Sequence, residues 1–226
     1  MKAILFDFGG TIDTDGVHWS EKFCELYAQF APHVPKQEVE RAFVESDRML
    51  LADPGVARLT FEETLERQWR MQFGLLGLPL EGGLLEEMSR VCYLDVRQTI
   101  ARAKGVLALL APHYRLGVVS NFTGNLEIVC REFFLDKVFS VFIDSAVVGV
   151  RKPDPAIFAL ALETLGVRAS EASVVGDSYD RDIVPGKQLG CSTVWLKGKS
   201  WNAPVETGAA DRTILRFSEI QEIFLH

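Results

Sequence analysis

The fold is decided at residues 1–11, which read MKAILFDFGGT. The apolar run from Lys2 to Phe8 predicts a short buried strand, and the pair Gly9-Gly10 predicts the turn that ends it. Asp7 stands at the tip of this strand. A carboxylate at a strand tip beside a glycine turn can act as a nucleophile or as a metal ligand.

Residues 15–95 carry only helical patterns. Phe23, Leu26, Tyr27 and Phe30 recur at helical spacing, which predicts one amphipathic helix. A second helix is expected to open near Pro35. Capping-box chemistry at residues 60–63 (Thr-Phe-Glu-Glu) predicts a third, and apolar residues between 84 and 92 predict a fourth.

Strands and helices alternate in the rest of the chain. Strands are expected at 115–119, 138–143, 172–175 and 192–196, with an edge strand near 212–215. This alternation predicts an α/β fold, a doubly wound parallel sheet of Rossmann-like type. Residues 1–14 and 96–226 would form its core domain. Residues 15–95 would be a helical cap domain inserted after the first strand.

Composition limits the class of function. With 24 basic and 31 acidic residues the formal charge is −7, which argues against nucleic acid or an anionic membrane as a partner. We find no apolar run long enough to span a membrane and no secretion signal. The four cysteines are widely spaced, which favours reduced thiols over zinc or disulfides. These features predict a cytoplasmic protein.

The chemistry is expected at the carboxyl ends of the strands, where open parallel sheets bind their ligands. These ends carry Asp7, the pair Ser120-Asn121, and Asp177, and Lys152 opens a helix between them. Two neighbouring carboxylates form a hard-oxygen site suited to Mg²⁺. Lys152 and Ser120 could neutralise or hydrogen-bond a phosphoryl group.

Four motifs in this order resemble the haloacid dehalogenase (HAD) superfamily, in the branch whose helical cap follows the first motif. The motifs are Asp7-Phe8-Gly9-Gly10-Thr11, Val119-Ser120-Asn121, Arg151-Lys152-Pro153-Asp154-Pro155, and the run from Gly176 to Asp182. Each is weak alone, but four in order at predicted strand tips are far more specific, and the resemblance spans the whole chain.

The resemblance implies a role for each site residue. Asp7 would be the nucleophile that forms an aspartyl-phosphate and would also bind Mg²⁺. Asp177 would be the second metal ligand, and Asp182 would support the metal shell or Lys152. The remaining residues would hold the phosphoryl group or shape the turn beside Asp7; they are Ser120, Asn121, Lys152, Gly10 and Thr11. The substrate would be a small phosphorylated molecule.

Gly9 departs from the phosphatase pattern. Phosphatases of this family place an aspartate two residues after the nucleophile, where it exchanges protons with the leaving alcohol and with water. Glycine cannot transfer a proton, although its backbone carbonyl could still ligate the metal. General acid–base help is typically worth ~10² to 10⁴ in rate, so its loss would slow turnover without having to abolish it.

The leading hypothesis is therefore a Mg²⁺-dependent phosphatase of reduced activity. One alternative is a catalytically weak binding or regulatory protein, which Gly9 favours. Another is a 2-haloacid dehalogenase, which Gly9 and Asp177 disfavour. A third is a phosphonate hydrolase that uses a cap lysine, for which the candidates are Lys22 and Lys36. The sequence names neither the substrate nor the oligomeric state, and we assign no role to the predicted loop at 198–208.

Overall fold

The sheet is parallel throughout, as the alternating pattern predicts. The computed structural model describes residues 1–200, 205–206 and 208–225. Six strands lie in the order β3-β2-β1-β4-β5-β6. Their bounds are β1 Ala3–Phe6, β2 Arg115–Ser120, β3 Val141–Asp144, β4 Ala172–Gly176, β5 Ser192–Leu196 and β6 Arg212–Ile214.

The central strand β1 determines where the site lies. Phe6 pairs in register with Val118 of β2 on one side and with Val175 of β4 on the other. The chain order reverses here, because β2 and β3 extend the sheet one way and β4 to β6 the other. Such a reversal opens a crevice at the carboxyl ends of the strands. The residues that follow β1, β2 and β4 therefore meet at one point.

Helices cover both faces of the sheet and build the inserted segment. Their bounds are α1 Trp19–Phe30, α2 Lys36–Ala52, α3 Phe61–Leu76, α4 Leu84–Leu110, α5 Leu126–Glu132, α6 Ser145–Val148, α7 Ala156–Leu165, α8 Val184–Leu189 and α9 Ile220–Phe224. We call residues 15–95 the helical segment. None of the helices in the described ranges combines the length and apolarity that a membrane span requires.

Helix α4 differs from the expectation of two separate helices at 84–92 and 100–110. It is continuous because residues 93–99 contain neither proline nor glycine, and because buried Val96 carries the apolar stripe from Cys92 to Ile100. The helix thus runs through the expected boundary at 95/96. The division of the chain into a core and a cap remains a proposal.

Two apolar clusters lie on opposite faces of the sheet. Alternate residues of β1 face them in turn: Ile4 and Phe6 join the larger cluster, whereas Ala3 and Leu5 join the smaller one. The larger cluster continues into the helical segment, where Phe23 packs edge-on against Trp69 with 4.5 Å between ring centroids. This continuity makes the helical segment part of the folded body.

Polar contacts also fix the helical segment over the carboxyl edge of the sheet. The Asn125 side chain, just before α5, donates to the Leu59 carbonyl and to the Thr64 hydroxyl, both at 2.9 Å. Glu132 accepts from the Phe61 backbone N–H at 2.6 Å. These bonds hold the start of α3 close to the strand tips. The start of α3 thus forms one wall of a cavity.

The turn after β1 contains two glycines, and the backbone conformation requires glycine at only one of the two positions. Gly10 has φ of +96°, and a Cβ there would come within 2.4 Å of the Asp177 carboxylate. Gly9 has a backbone conformation outside the left-handed region. A Cβ added there would lie 3.9 Å from the Trp19 side chain. Only Gly10 is dictated by the backbone. The predicted loop at 198–208 lies partly outside the described residues, namely at 201–204 and 207.

The two glycines should respond differently to alanine. Gly10→Ala should lower the free energy of unfolding by roughly 1–3 kcal/mol, because it adds backbone strain and forces Asp177 to move. Gly9→Ala is the matched control and should change it by less than about 1 kcal/mol. Urea denaturation of the two variants measures the difference. Equal destabilisation would contradict the description of this turn.

Candidate active site

The predicted side chains converge on one cavity. Asp7 follows β1, Ser120 ends β2, and Asp177 follows β4, and all three line a cavity of about 700 Å³. The helical segment covers it from the other side. The sequence predicts chemistry at these strand ends, and the structure brings the three side chains together there.

Lys152 is the central cation of this cavity. Its Nζ lies 2.5 Å from Asp7 Oδ1 and 2.5 Å from Asp182 Oδ1, and the residue is only 4% exposed. Burial alone would lower the pKa of Lys152, but the Asp182 and Asp7 carboxylates outweigh it and raise that pKa. The side chain is therefore a buried ammonium ion.

Asn121 positions the Lys152 backbone. Its Oδ1 accepts from the Lys152 N–H at 2.8 Å, and its Nδ2 donates to the Lys152 carbonyl at 3.0 Å. The sequence suggests phosphate contact for Asn121. The structure shows its amide engaged at both ends with the chain that carries the lysine. Asn121 also lines the cavity.

Asp182 reaches the lysine because the chain makes one π-helical turn at Tyr179–Ile183. This turn folds the carboxylate back over the end of β4, where a Cβ on Gly176 would lie 2.4 Å from it. Asp182 Oδ2 accepts from the Ser178 N–H at 3.1 Å, and Oδ1 takes the lysine. Both oxygens are engaged, so Asp182 serves first as a counter-ion of Lys152.

Thr11 links the two remaining carboxylates. Its Oγ1 lies 3.2 Å from Asp7 Oδ2 and 3.1 Å from Asp177 Oδ1, and it accepts from the Asp177 N–H at 3.0 Å. A hydroxyl carries a single proton, so it donates to only one carboxylate at a time. The other oxygen needs a cation or a proton of its own.

The charges of the cluster also indicate that a further cation or proton is needed. Burial, then Asp7 and Asp182, raise the pKa of Asp177 well above its usual range, against the opposing Thr11 hydrogen bond and Lys152. Burial likewise raises the pKa of Asp182 to about 6. Among the described residues Lys152 is the one cation that ion-pairs with this cluster, and it pairs with Asp7 and Asp182 but not with Asp177. The three carboxylates therefore carry more negative charge than Lys152 neutralises.

A divalent cation fits this donor set. One oxygen from each of Asp7, Asp177 and Asp182 lies within 4.8 Å of the others. Carboxylates are the ligands that Mg²⁺ prefers, and a cation would relieve the repulsion that, after burial, helps to raise the pKa values of Asp177 and Asp182. Gly9 also lines the cavity. A contact of its carbonyl with a metal stays a prediction.

Asp13 is a site residue that the sequence reasoning missed. It is 1% exposed, lines the same cavity, and accepts from the Gly10 N–H at 2.7 Å and from Trp19 Nε1 at 2.9 Å. Burial is the main cause that raises the pKa of Asp13 from 3.8 to about 7. In sequence, Asp13 reads as one more polar residue in a turn, and only the closure of α1 over that turn buries it.

One part of the cavity wall carries aromatic and cationic side chains. Trp19, Phe43 and Phe61 line it from the helical segment, and Arg151 and Arg181 line it from the loops after the strands. Such a wall suits an anionic substrate with an apolar part.

His18 stands near this wall with its Nδ1 engaged. That atom accepts from the Ser20 N–H at the start of α1. Burial, then the charge of Arg181, lower the pKa of His18. The imidazole is thus neutral near pH 7 and acts as the N-cap of α1.

Curated relatives of the chain include hydrolases and phosphatases. It is 47% identical over 83 residues to haloacid dehalogenase-like hydrolase domain-containing protein 3 of Danio rerio, covering 37% of this chain and 34% of that one. It is 33% identical over 132 residues to glyceraldehyde 3-phosphate phosphatase of Pyrococcus furiosus, covering 57% and 55%. The chain therefore spans between a third and rather more than half of these relatives' lengths.

Solved structures share the fold over almost the whole chain. A HAD phosphatase from Thermococcus onnurineus aligns with a TM-score of 0.55 at 23% identity, covering 99% of this chain and 97% of that one. A 2-haloacid dehalogenase from Pseudomonas syringae aligns at 0.54 and 22%, covering 100% and 98%. These likenesses concern the fold alone. The family model for haloacid dehalogenase-like hydrolases matches residues 1–190, and the chain belongs to that family of hydrolases.

Proposed function

We propose that this hydrolase is a Mg²⁺-dependent phosphatase that cleaves small phosphate esters through an aspartyl-phosphate on Asp7. The observation that carries the proposal is a cluster of three carboxylates in the cavity, two of which pair with one buried ammonium ion. Relatives named as phosphatases of glyceraldehyde 3-phosphate and of phosphoserine support a small phosphorylated substrate.

Asp7 is the nucleophile in this proposal. Ser120 donates to its Oδ1 at 3.0 Å, Lys152 contacts the same oxygen, and Thr11 approaches Oδ2. These contacts order the carboxylate before substrate arrives, which lowers the entropic part of the barrier. A bond forms from an Asp7 oxygen to phosphorus while the bond to the ester oxygen breaks. Water then attacks the same phosphorus and restores the carboxylate.

Lys152 and Ser120 stabilise the negative charge of the phosphoryl group at Asp7. The ammonium and the hydroxyl already face Asp7 Oδ1, so they can also hydrogen-bond oxygens of a phosphoryl group bound to it. Donors fixed in advance act strongly in a site that excludes water. Asn121 and Asp182 position the lysine from its backbone and its charged end.

The metal would be held by Asp7 and Asp177, with the Gly9 carbonyl and Asp182 completing or supporting the shell. When bound, Mg²⁺ supplies positive charge that offsets the repulsion between the Asp7 carboxylate and the anionic phosphoryl group. Without a cation that repulsion opposes the approach of substrate to the nucleophile.

The alternatives have less support. A 2-haloacid dehalogenase needs no metal, whereas this site gathers an excess of carboxylates. A phosphonate hydrolase needs a cap lysine at the substrate, yet Lys22 pairs with Asp95 and Lys36 with Glu21. Neither lysine is among the described residues that line the cavity. A regulatory protein without turnover has Gly9 as its single support.

The free thiols Cys24, Cys92, Cys130 and Cys191 agree with a reducing compartment, and we propose a cytoplasmic location on that ground.

The first test of this function is Asp7→Asn. The change removes the nucleophilic charge and keeps the shape, so hydrolysis of phosphate esters should fall to background. The fold should survive, because Asp182 still pairs with Lys152 and one source of repulsion on Asp177 is gone. Steady-state kinetics on a panel of phosphate esters, with circular dichroism, measure both. The exposed Asp154→Asn is the matched control and should turn over normally.

Trapping gives an independent readout of the same step. Wild-type protein quenched in acid during turnover should carry one phosphoryl group on the peptide that contains Asp7, as measured by mass spectrometry. The Asp7→Asn protein should carry none. Hydrolysis that persists in Asp7→Asn would show that another group is the nucleophile.

Metal binding is tested without substrate. Wild type should bind Mg²⁺ in calorimetric titration, and Asp177→Ala should bind it at least tenfold more weakly, because one of two principal ligands is lost. Asp180→Ala changes an exposed carboxylate in the same loop and serves as the control. Equal affinity in wild type and Asp177→Ala would remove the metal from the proposal.

A further inference from the structure

Trp19 connects the missing side chain at Gly9 to a buried acid. A Cβ on Gly9 would lie 3.9 Å from Trp19 Nε1, and that same Nε1 donates to Asp13 Oδ2 at 2.9 Å. Trp19 Nε1 therefore lies next to both the Gly9 position and the Asp13 carboxyl group. All three residues line the cavity that holds Asp7.

Asp13 has the surroundings of a proton-transfer group. It is almost fully buried, and none of the ion pairs among the described residues includes it. Its two hydrogen-bond donors, Gly10 N–H and Trp19 Nε1, are both uncharged. The charged groups that act on it from a distance are Asp7, which raises its pKa, and Lys22, which lowers it. A pKa of about 7 permits both protonation states near neutral pH.

We propose that Asp13 is the catalytic acid and base of this site, which takes over from within the turn the proton transfer that Gly9 cannot perform. This inference rests on the proposed phosphatase function. It assigns to Asp13 direct contact with the ester oxygen and with the attacking water.

The proton balance closes over one turnover. When the Asp7 oxygen bonds to phosphorus, the ester bond breaks and protonated Asp13 gives its proton to the leaving oxygen, which departs as an alcohol. Ionised Asp13 then takes a proton from the water that attacks the aspartyl-phosphate. Inorganic phosphate leaves, and Asp7 and Asp13 return to their starting states.

His18 is the rival proton donor in the same wall. Its Nδ1 accepts from Ser20 N–H to cap α1, and its lowered pKa leaves it neutral near pH 7. A neutral imidazole is a much weaker acid than a protonated carboxyl group. Asp13 is therefore the better candidate for protonating an alkoxide.

The substitution must separate chemistry from structure. In Asp13→Asn the amide cannot accept from both Gly10 and Trp19, because one of its two ends is itself a donor. Trp19→Phe removes one of those donors. The double variant Trp19→Phe/Asp13→Asn keeps the Gly10 bond and loses only the carboxyl group, and Trp19→Phe alone is its reference.

Leaving-group dependence is the readout that a structural role would not reproduce. Relative to Trp19→Phe, the double variant should lose about 10² to 10⁴ in kcat/KM on alkyl phosphates, whose leaving oxygen needs a proton. On 4-nitrophenyl phosphate the loss in kcat/KM should be less than about tenfold, because that leaving group departs as an anion. Losses of equal size on both substrates would overturn the assignment.

Relocating the carboxyl group tests the same point by gain of function. Adding Gly9→Asp to the double variant should restore at least tenfold of the alkyl phosphate rate, since the Cβ at position 9 meets nothing closer than 3.9 Å. Gly9→Ala in the same background should restore none. A Gly9→Asp variant that folds, as judged by circular dichroism, and yet gives no rescue would count against the proposal.

A titration without substrate gives a readout other than activity. The Trp19 indole N–H signal in ¹⁵N-edited NMR, identified by its loss in Trp19→Phe, should shift with a midpoint near pH 7, because the acceptor Asp13 ionises there. No shift between pH 5 and 9 would overturn the assignment, because a group that keeps one protonation state cannot cycle a proton.

Failure of the inference can be told from failure of the function. Turnover that requires Asp7 but is unchanged in the double variant would overturn the role of Asp13 and leave the phosphatase standing. An absence of hydrolysis that requires Asp7, on every phosphate ester tested, would overturn both.

Discussion

The ammonium of Lys152 between Asp7 and Asp182 is the interaction on which the site depends. Taking one cation and its carboxylates out of water is costly, and the cost is recovered only when the geometry is tight and the remaining lone pairs are satisfied. Both Lys152 contacts measure 2.5 Å, and Asn121 clamps the backbone on each side of the lysine. Three other segments of the chain, which carry Asp7, Asn121 and Asp182, hold this one charge in place.

The single positive charge of Lys152 does not balance the negative charges of the carboxylates around it. Asp177 adds a third carboxylate to the cluster, and the single proton of Thr11 satisfies only one of the two oxygens that it faces. A protein core that leaves such an excess of negative charge gains by taking up a cation or a proton. Burial and, after it, this excess of negative charge raise the pKa values of Asp177 and Asp182.

The sequence predicts this centre unevenly, for physical reasons. Asp7, Ser120 and Asp177 follow directly from apolar runs, and parallel strands bring their ends together whatever the loops do. Lys152 lies outside the strands, so its charge suggests a role but the strand pattern does not place it, and only the resemblance indicates Asp182. The pairing between the two depends on a π-helical turn that the apolar pattern does not predict. Capping at Thr60 is local and is confirmed, with both bonds of the capping box present.

The errors have one common origin. Helix α4 runs without the break expected between 92 and 100, because amphipathic spacing alone cannot show where a helix leaves one layer and enters another. Asp13 was missed because its burial comes from α1, whose first residue Trp19 closes over the turn. Features set by a single strand or cap are local and can be predicted. Features set by the docking of two segments need the fold itself.

The two glycines of the first turn illustrate how fold and function separate. Gly10 is required by a left-handed backbone and by the Asp177 carboxylate beside it, so its absence of a side chain needs no functional reason. Gly9 has an ordinary backbone, and a Cβ there would make an ordinary van der Waals contact with Trp19 at 3.9 Å. Among the described residues no packing contact demands glycine there; the Trp19 indole lies beside this position and donates to the Asp13 carboxyl group, to which we assign the proton transfer.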